Sequence, residues 1–191
     1  MTLRRGFKSE AERMAAEQRR RLNIDITGPV DPFELLRSHG ITVRTPRDVQ
    51  AMAVMPADTL EILTVGASYW SAITVRTPAG TVVVHNPQHE RPRQHSNLTH
   101  ELAHVLLGHT PGALQTVAGC VMRDFDEIQE EEEAACLGDT LLALRVALEA
   151  AARRNMSLTH TADWLGASEQ LTRYRANTTG VTRQYRGFSG R

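Results

Sequence analysis

The stretch NLTHELAHVLLGH, residues 97–109, constrains the fold of this chain more than any other. His100 and His104 are four residues apart, so on a helix both imidazoles leave one face, one turn above the other. Leu102, Ala103, Val105, Leu106 and Leu107 supply an apolar flank that needs a core to bury it. The fold must therefore bury one side of this helix and keep the other open to a cleft. The histidine spacing suits a single tetrahedral Zn2+, and Glu101, beside His100, can reach a water in the open position without being a ligand. Zinc lowers the pKa of such a water to about 7, and a neighbouring carboxylate can take its proton and pass it to a leaving amine. With eight His and fourteen Glu, an H-E-x-x-H would arise in roughly 2% of shuffled chains. The context separates the motif from a core helix that happens to carry histidine: a strand and a turn precede it, Gly108 stops it, and a third ligand is available downstream.

A catalytic zinc site needs a third protein ligand and leaves one position open. IQEEEEAACLGDTLLALR, residues 128–145, opens with four consecutive glutamates. Most of an acidic first turn is a solvated complement to the helix dipole. Helical phase puts Glu131 on one side with Ala134, Gly138, Leu141 and Leu142, and small residues at 134 and 138 would let this helix approach the histidine helix closely. Glu131 is therefore preferred, with Glu130 and Glu132 as alternatives. His109 is out of phase beyond Gly108 and is expected to cap the helix or line the cleft. His39, His85, His89, His95 and His160 lack ligand spacing and are read as structural or surface residues. Asp124 and Asp126 are candidates to orient a ligand histidine. Tyr69, His109 and Tyr174 are conceivable stabilisers of an oxyanion.

Around these motifs the chain reads as α+β: a small antiparallel or mixed β-sheet packed on a zincin-type helix pair, with a helical C-terminal extension. Residues 1–25 carry an expected exposed helix over 8–22, with a thin stripe of Met14, Ala15 and Leu22. Residues 26–150 form the catalytic domain, 151–178 a helix-turn-helix-like extension, and 179–191 a flexible tail. DPFELLRSHG reads as a short helix with Asp31 as N-cap, Pro32 at the first position and Gly40 as stop. ITVRT is a strand, and YWSAITVRT and TVVVHN form a hairpin across Pro78, Ala79 and Gly80. No period emerges over residues 46–66. PQHERPRQHSN reads as a basic turn, residues 113–125 as irregular, and about 126–153 as one long helix followed by two short ones split near Gly166.

Composition narrows the class. No apolar run approaches the roughly 20 residues of a membrane span, and the charged N-terminus lacks the apolar centre of a secretory signal, so a cytoplasmic location is expected. Cys120 and Cys136 do not make a disulfide framework. The formal net charge of zero conceals an uneven distribution. Residues 1–22 hold seven Lys/Arg against three Asp/Glu and residues 151–191 seven against two, so the ends are +4 and +5 around a middle of −9. Such basic ends permit nucleic-acid contact, although solvated faces are the commoner reason for them.

VVVHNPQHERPRQHSNLTHELAHVLLGH, with its strand, Asn and Arg-containing turn before the histidine helix, and EEEAACLGDTLL, with its Glu-x-x-Ala spacing, resemble the ImmA/IrrE metallo-endopeptidases of bacteria and their mobile elements. The resemblance runs from about DPFELLRSHGITV to LTRYRANTTG. It implies His100, His104 and Glu131 as zinc ligands and Glu101 as general base, in a gluzincin-like zinc endopeptidase that cuts a helix-turn-helix transcriptional repressor and relieves repression. It also implies a cleft beside a sheet edge, with TVVVHN as the strand to pair with substrate. Two features depart from the family's pattern: Leu137 and Leu144 or its neighbours stand at its usual aromatic and Pro positions, and Cys136 and Asp139 are unusual there. The C-terminal SLTHTADWLGASEQLTRYRAN is compatible with a helix-turn-helix, but an α-hairpin packed on the protease core is preferred because no base-reading side chains can be identified. The alternative to an enzyme is a non-proteolytic regulator with a structural metal site that binds DNA or a partner; Glu101 argues against it, since a structural site needs no base.

Overall fold

The computed structural model describes residues 3–51, 70–109, 115–117, 120–122, 128–185 and 188. Helix α1 spans Phe7–Arg21, α2 Pro32–Ser38 and α3 Pro46–Ala51; strand β1 is Thr42–Arg44, β2 Ala72–Thr77 and β3 Gly80–His85. Helix α4, Arg91–Leu107, carries the histidines. Strands β4, Gln115–Val117, and β5, Cys120–Met122, follow. Helices α5, Ile128–Leu142, α6, Arg145–Arg153, α7, Leu158–Leu165, α8, Glu169–Thr178, and α9, Val181–Gln184, complete the described chain. Five strands form one sheet in the order β1-β3-β2-β5-β4, with β1 and β3 parallel and the other pairs antiparallel. The fold is α+β with a mixed sheet.

Local chemistry accounts for several boundaries. Asp31 caps α2 through the Phe33 amide at 2.8 Å, with Pro32 at the start of the helix and Gly40 at φ +70° after it. The β2–β3 hairpin closes with Thr77 opposite Gly80, leaving Pro78 and Ala79 as a two-residue loop. Gly108, at φ +69°, ends α4 in the left-handed conformation open to glycine. Ser157 and Ser168 cap α7 and α8, and Gly166 separates them.

The histidine helix packs on β2 and β3 by one flank and on α5 by the next. Val83, Leu98, Leu102, Leu137 and Leu141 are fully buried in the resulting core. Gly138 sets the spacing of the helix pair: a Cβ built there would lie 3.1 Å from the backbone N and Cα of His100. No side chain larger than glycine fits that contact without moving one helix.

Six sequence expectations are corrected. Helix α1 is not exposed: Phe7, Ala11, Ala15 and Arg19, spaced four apart, are 1% exposed or less, and the helix packs against α5. The basic turn is shorter than expected, because α4 already begins at Arg91 with Pro92 in its first turn, where no backbone N–H bond is lost. Strands β4 and β5 lie within the segment expected to be irregular. The strand of TVVVHN is interior to the sheet, flanked by β1 and β2, so it offers no edge to a substrate. The tail packs at least through Val181 and Phe188, both buried.

The sixth correction is the break in the long helix, where Leu144 takes an extended conformation (ψ 140°) between α5 and α6. Neither Pro nor Gly marks it. The freed backbone groups find partners elsewhere in the molecule: Arg19 donates to the Leu142 carbonyl at 3.5 Å, Arg175 to the Ala143 carbonyl at 3.2 Å, and the Arg145 amide to Glu12 at 3.1 Å. Glu12 also pairs with Arg175 at 2.6 Å. Burial pushes the Arg19 guanidinium down to about 10, yet it remains charged and hydrogen-bonded to carbonyls of Ala15, Gly28 and Leu142.

Candidate active site

On α4 the core face runs through His95, Leu98, Thr99 and Leu102, and the cleft face through Ser96, Asn97, His100 and Glu101. His104, one turn beyond His100 on that same face, is fully buried. The loop before the helix is braced: buried Asn86 donates to the Trp70 carbonyl at 3.2 Å and accepts from the Gln88 amide at 3.0 Å. His89 stands between Asn86 and Asn97, 3.4 Å from each. The start of α4 is thereby tied to the end of β3.

Across the α4–α5 contact, Glu131 meets both imidazoles. Its carboxylate oxygens lie 3.2 Å from His100 Nε2 and 3.2 Å from His104 Nε2, and the two Nε2 atoms are 3.1 Å apart. Three ligands bonded at about 2.0–2.1 Å to a tetrahedral ion would stand about 3.3 Å from one another. The two imidazole nitrogens stand at about that separation and each has one oxygen of Glu131 3.2 Å away, so the three side chains come close enough together to fit a single ion. Of the four glutamates, Glu131 is the one whose oxygens join this His–His group. Glu133 turns to the opposite side, buried against Arg4 at 3.1 Å. Among the described residues no other group of three His, Cys, Asp or Glu side chains comes together in this way.

Two neighbours orient the site. Thr74, on β2 and 1% exposed, donates its hydroxyl to Glu101 Oε2 in a very short contact. This fixes one carboxylate oxygen of a residue that lines the cleft. His109, also buried, places its Nδ1 3.0 Å from His104 Nδ1. With Nε2 of His104 kept as a lone-pair donor, its Nδ1 carries the proton and His109 accepts it, the arrangement by which outer groups fix the tautomer of a ligating imidazole. His109 thus stands behind His104, on the side away from the ligand nitrogens, rather than over the cleft. Sequence spacing gave no sign of Thr74. The near approach of His109 depends on the left-handed turn at Gly108.

Beside His100 and Glu101 opens a cavity of about 410 Å³, walled by Ala72, Ala135 and Gly138, with Ser71, Ser96, Asn97 and Asp139 as the other polar residues of its lining. Burial raises the Asp139 carboxyl to about 6, against the lowering influence of Arg175 and His100. Cys136, half-buried next to the core, has its thiol pushed up, chiefly by burial, and is an unreactive packing residue. Tyr174, partly exposed on α8, has its phenol raised by burial and then by Asp139 and Cys136. Tyr69, Asp124 and Asp126 lie outside the described residues.

A family model described as the IrrE N-terminal-like domain, peptidase family M78, matches residues 38–177. The chain belongs to this family. The match runs from the end of α2 almost to the end of α8, so it takes in the sheet, both site helices and the C-terminal hairpin. A metallopeptidase-type function follows from the family, and the His–His–Glu cluster is in keeping with it. No curated protein matches the chain.

The remaining expected residues divide plainly. His85 and His95 are buried on either side of Phe33, in edge contact with its ring at centroid distances of 5.5 and 6.3 Å. His95 Nδ1 donates to the Gly166 carbonyl at 2.8 Å and joins α4 to the α7–α8 turn. His39 contacts Gln18 at 2.7 Å, and His160 is exposed. Among the described residues no helix is long and apolar enough to cross a membrane.

Proposed function

We propose that the protein is a zinc-dependent endopeptidase with a narrow protein substrate, a cognate helix-turn-helix transcriptional repressor, working in the cytoplasm. The observation that carries this reading is the cluster of His100, His104 and Glu131, with the two Nε2 atoms 3.1 Å apart and one oxygen of Glu131 3.2 Å from each, beside a Glu101 that Thr74 holds in place. When bound, zinc supplies Lewis acidity to a water and to the substrate carbonyl. His100 and His104 would hold it by Nε2 and Glu131 by its carboxylate. Glu101 takes the proton of the attacking water and delivers it to the amine of the cleaved bond. His109 keeps His104 in the required tautomer.

Substrate entry fits β2 rather than β3. Ser71 and Ala72, at the start of β2, line the cavity next to His100. An extended segment lying along this end of β2 would bring its carbonyls past Glu101. A non-proteolytic DNA-binding role finds little support in the C-terminal hairpin: Arg175 is buried against Glu12, and Arg173 pairs with Glu169.

The test is metal content together with cleavage. Purified under reducing, chelator-free conditions, the protein is expected to hold one zinc per chain and to cut a repressor encoded beside it. Glu101→Gln should lower the rate at least about a hundredfold while zinc stays bound. Protein that cannot take up zinc, or a Glu101→Gln variant that cleaves normally, sinks the reading.

A further inference from the structure

The cavity beside the ligand cluster has a composition that selects what can enter it. Its walls are small, with Ala72, Ser96, Ala135 and Gly138 leaving room for a long side chain. Its described lining contains no Lys or Arg, whereas Glu101 and Asp139 both present carboxylates to it. Glu101 is engaged by Thr74. Asp139 makes no side-chain hydrogen bond or ion pair among the described residues, although it is largely withdrawn from water. The nearest cation that acts on it, Arg175, is committed to Glu12 at 2.6 Å and to the Ala143 carbonyl at 3.2 Å. A desolvated carboxylate without a partner is unfavourable unless something completes it.

We propose that this cavity is the specificity subsite for the substrate residue adjoining the cleaved bond, and that it selects a long basic side chain, Lys or Arg, whose cation pairs with Asp139. The proposal rests on the endopeptidase reading given above. The length fits: the stem of a Lys or Arg lies along the small walls, and Asn97 supplies a further hydrogen-bonding group beside the charged head. Asp139 is a specificity residue here and takes no part in proton transfer. It faces His100 across the cavity without hydrogen-bonding to it, which distinguishes this role from that of a carboxylate orienting a ligand histidine.

The experiment uses the zinc-loaded full chain and internally quenched peptides, built on the segment of the cognate repressor that is cut, with Lys, Arg, Met, Gln or Glu placed in turn on either side of the scissile bond. On one of the two sides, Lys and Arg are expected to exceed Met and Gln in kcat/KM by about tenfold, with Glu the poorest. Asp139→Asn should erase that preference, Asp139→Glu should retain it, and Asp139→Lys should shift it toward Glu. An enzyme that cleaves without preferring basic residues, or a preference that survives Asp139→Asn, overturns the subsite while leaving the endopeptidase reading intact. An equal loss on every peptide in Asp139→Asn, together with lost zinc, assigns Asp139 to holding His100 and also overturns it. Zinc-loaded protein that cleaves none of the peptides overturns both readings.

Discussion

Thr74 illustrates how a single hydroxyl tunes this site. It lies on the sheet, 27 residues before its partner Glu101, and it is almost wholly buried. A carboxylate acting as a base at a metal site needs one oxygen fixed and one free; otherwise it can swing onto the metal or out to solvent. Thr74→Val keeps the shape of the side chain and removes the donor. We expect zinc content to be unchanged and kcat to fall about tenfold, with KM less affected, as when an interaction made in the transition state is lost. Zinc lost together with activity in that variant would show that Thr74 supports the ligands instead. Asp139 is the complementary case, since its carboxyl is raised to about 6 by burial and so weakens the fold at neutral pH.

At the scale of elements, the α4–α5 pair is the machine and Gly138 its closest point of contact. Glu131 lies two turns earlier on the same face as Gly138, so the distance between the helix backbones governs whether the carboxylate reaches both imidazoles. Gly138→Ala would place a methyl 3.1 Å from backbone atoms of His100, which cannot rotate away as a side chain could. The expected cost is about 1–3 kcal/mol of stability, with zinc affinity lowered at least about tenfold. Thermal denaturation and competition with a zinc chelator measure the two effects. Unaltered zinc affinity would show that Glu131 tolerates a displaced helix. The break between α5 and α6 belongs to the same scale. It is held open by Arg19, Arg175 and Glu12 from α1 and α8, so the helices on either side act as one support for the site.

For the whole molecule, the buried histidines link stability to pH. His85 and His95 are held below their ordinary value, chiefly by desolvation, and each has one ring nitrogen without a hydrogen-bond partner among the described residues. The unfolded chain therefore takes up protons near pH 6.5 while the fold resists them. The stability they contribute is fully present above that pH and is lost as pH falls toward their folded values, with a slope of up to about 1.4 kcal/mol per pH unit for each proton. Asp139 acts in the opposite sense: its pKa is about 6 folded against 3.8 ordinarily, so stability is regained as pH falls below about 6. In metal-free protein the melting temperature should decline from pH 7 to 6, and below pH 6 the decline should be steeper in Asp139→Asn than in wild type. A flat profile for both proteins from pH 7 to 5 would contradict the reading of His85 and His95 as neutral core residues.

Much of this architecture was legible from local signals. The caps at Asp31, Ser157 and Ser168, the stops at Gly40, Gly108 and Gly166, and the two-residue hairpin each follow from backbone preferences of the residues themselves. The H-E-x-x-H spacing placed two imidazoles on one face because the helical repeat requires it. What local chemistry could not express is partnership at a distance. Helix α1 looked exposed because alanines register weakly as apolar, yet Ala11 and Ala15 are buried because their smallness permits close packing. The helix break after Leu142 had no Pro or Gly to announce it, since its carbonyls are satisfied by arginines more than 30 residues away in sequence. Sequence alone thus determined the chemistry of the donor set and the face from which two of its members project. Only the tertiary structure decided which glutamate meets them, which hydroxyl holds Glu101, and which strand borders the cleft. Those depend on how closely two helices approach and how a sheet orders its strands, and both are set by packing between segments far apart in the chain.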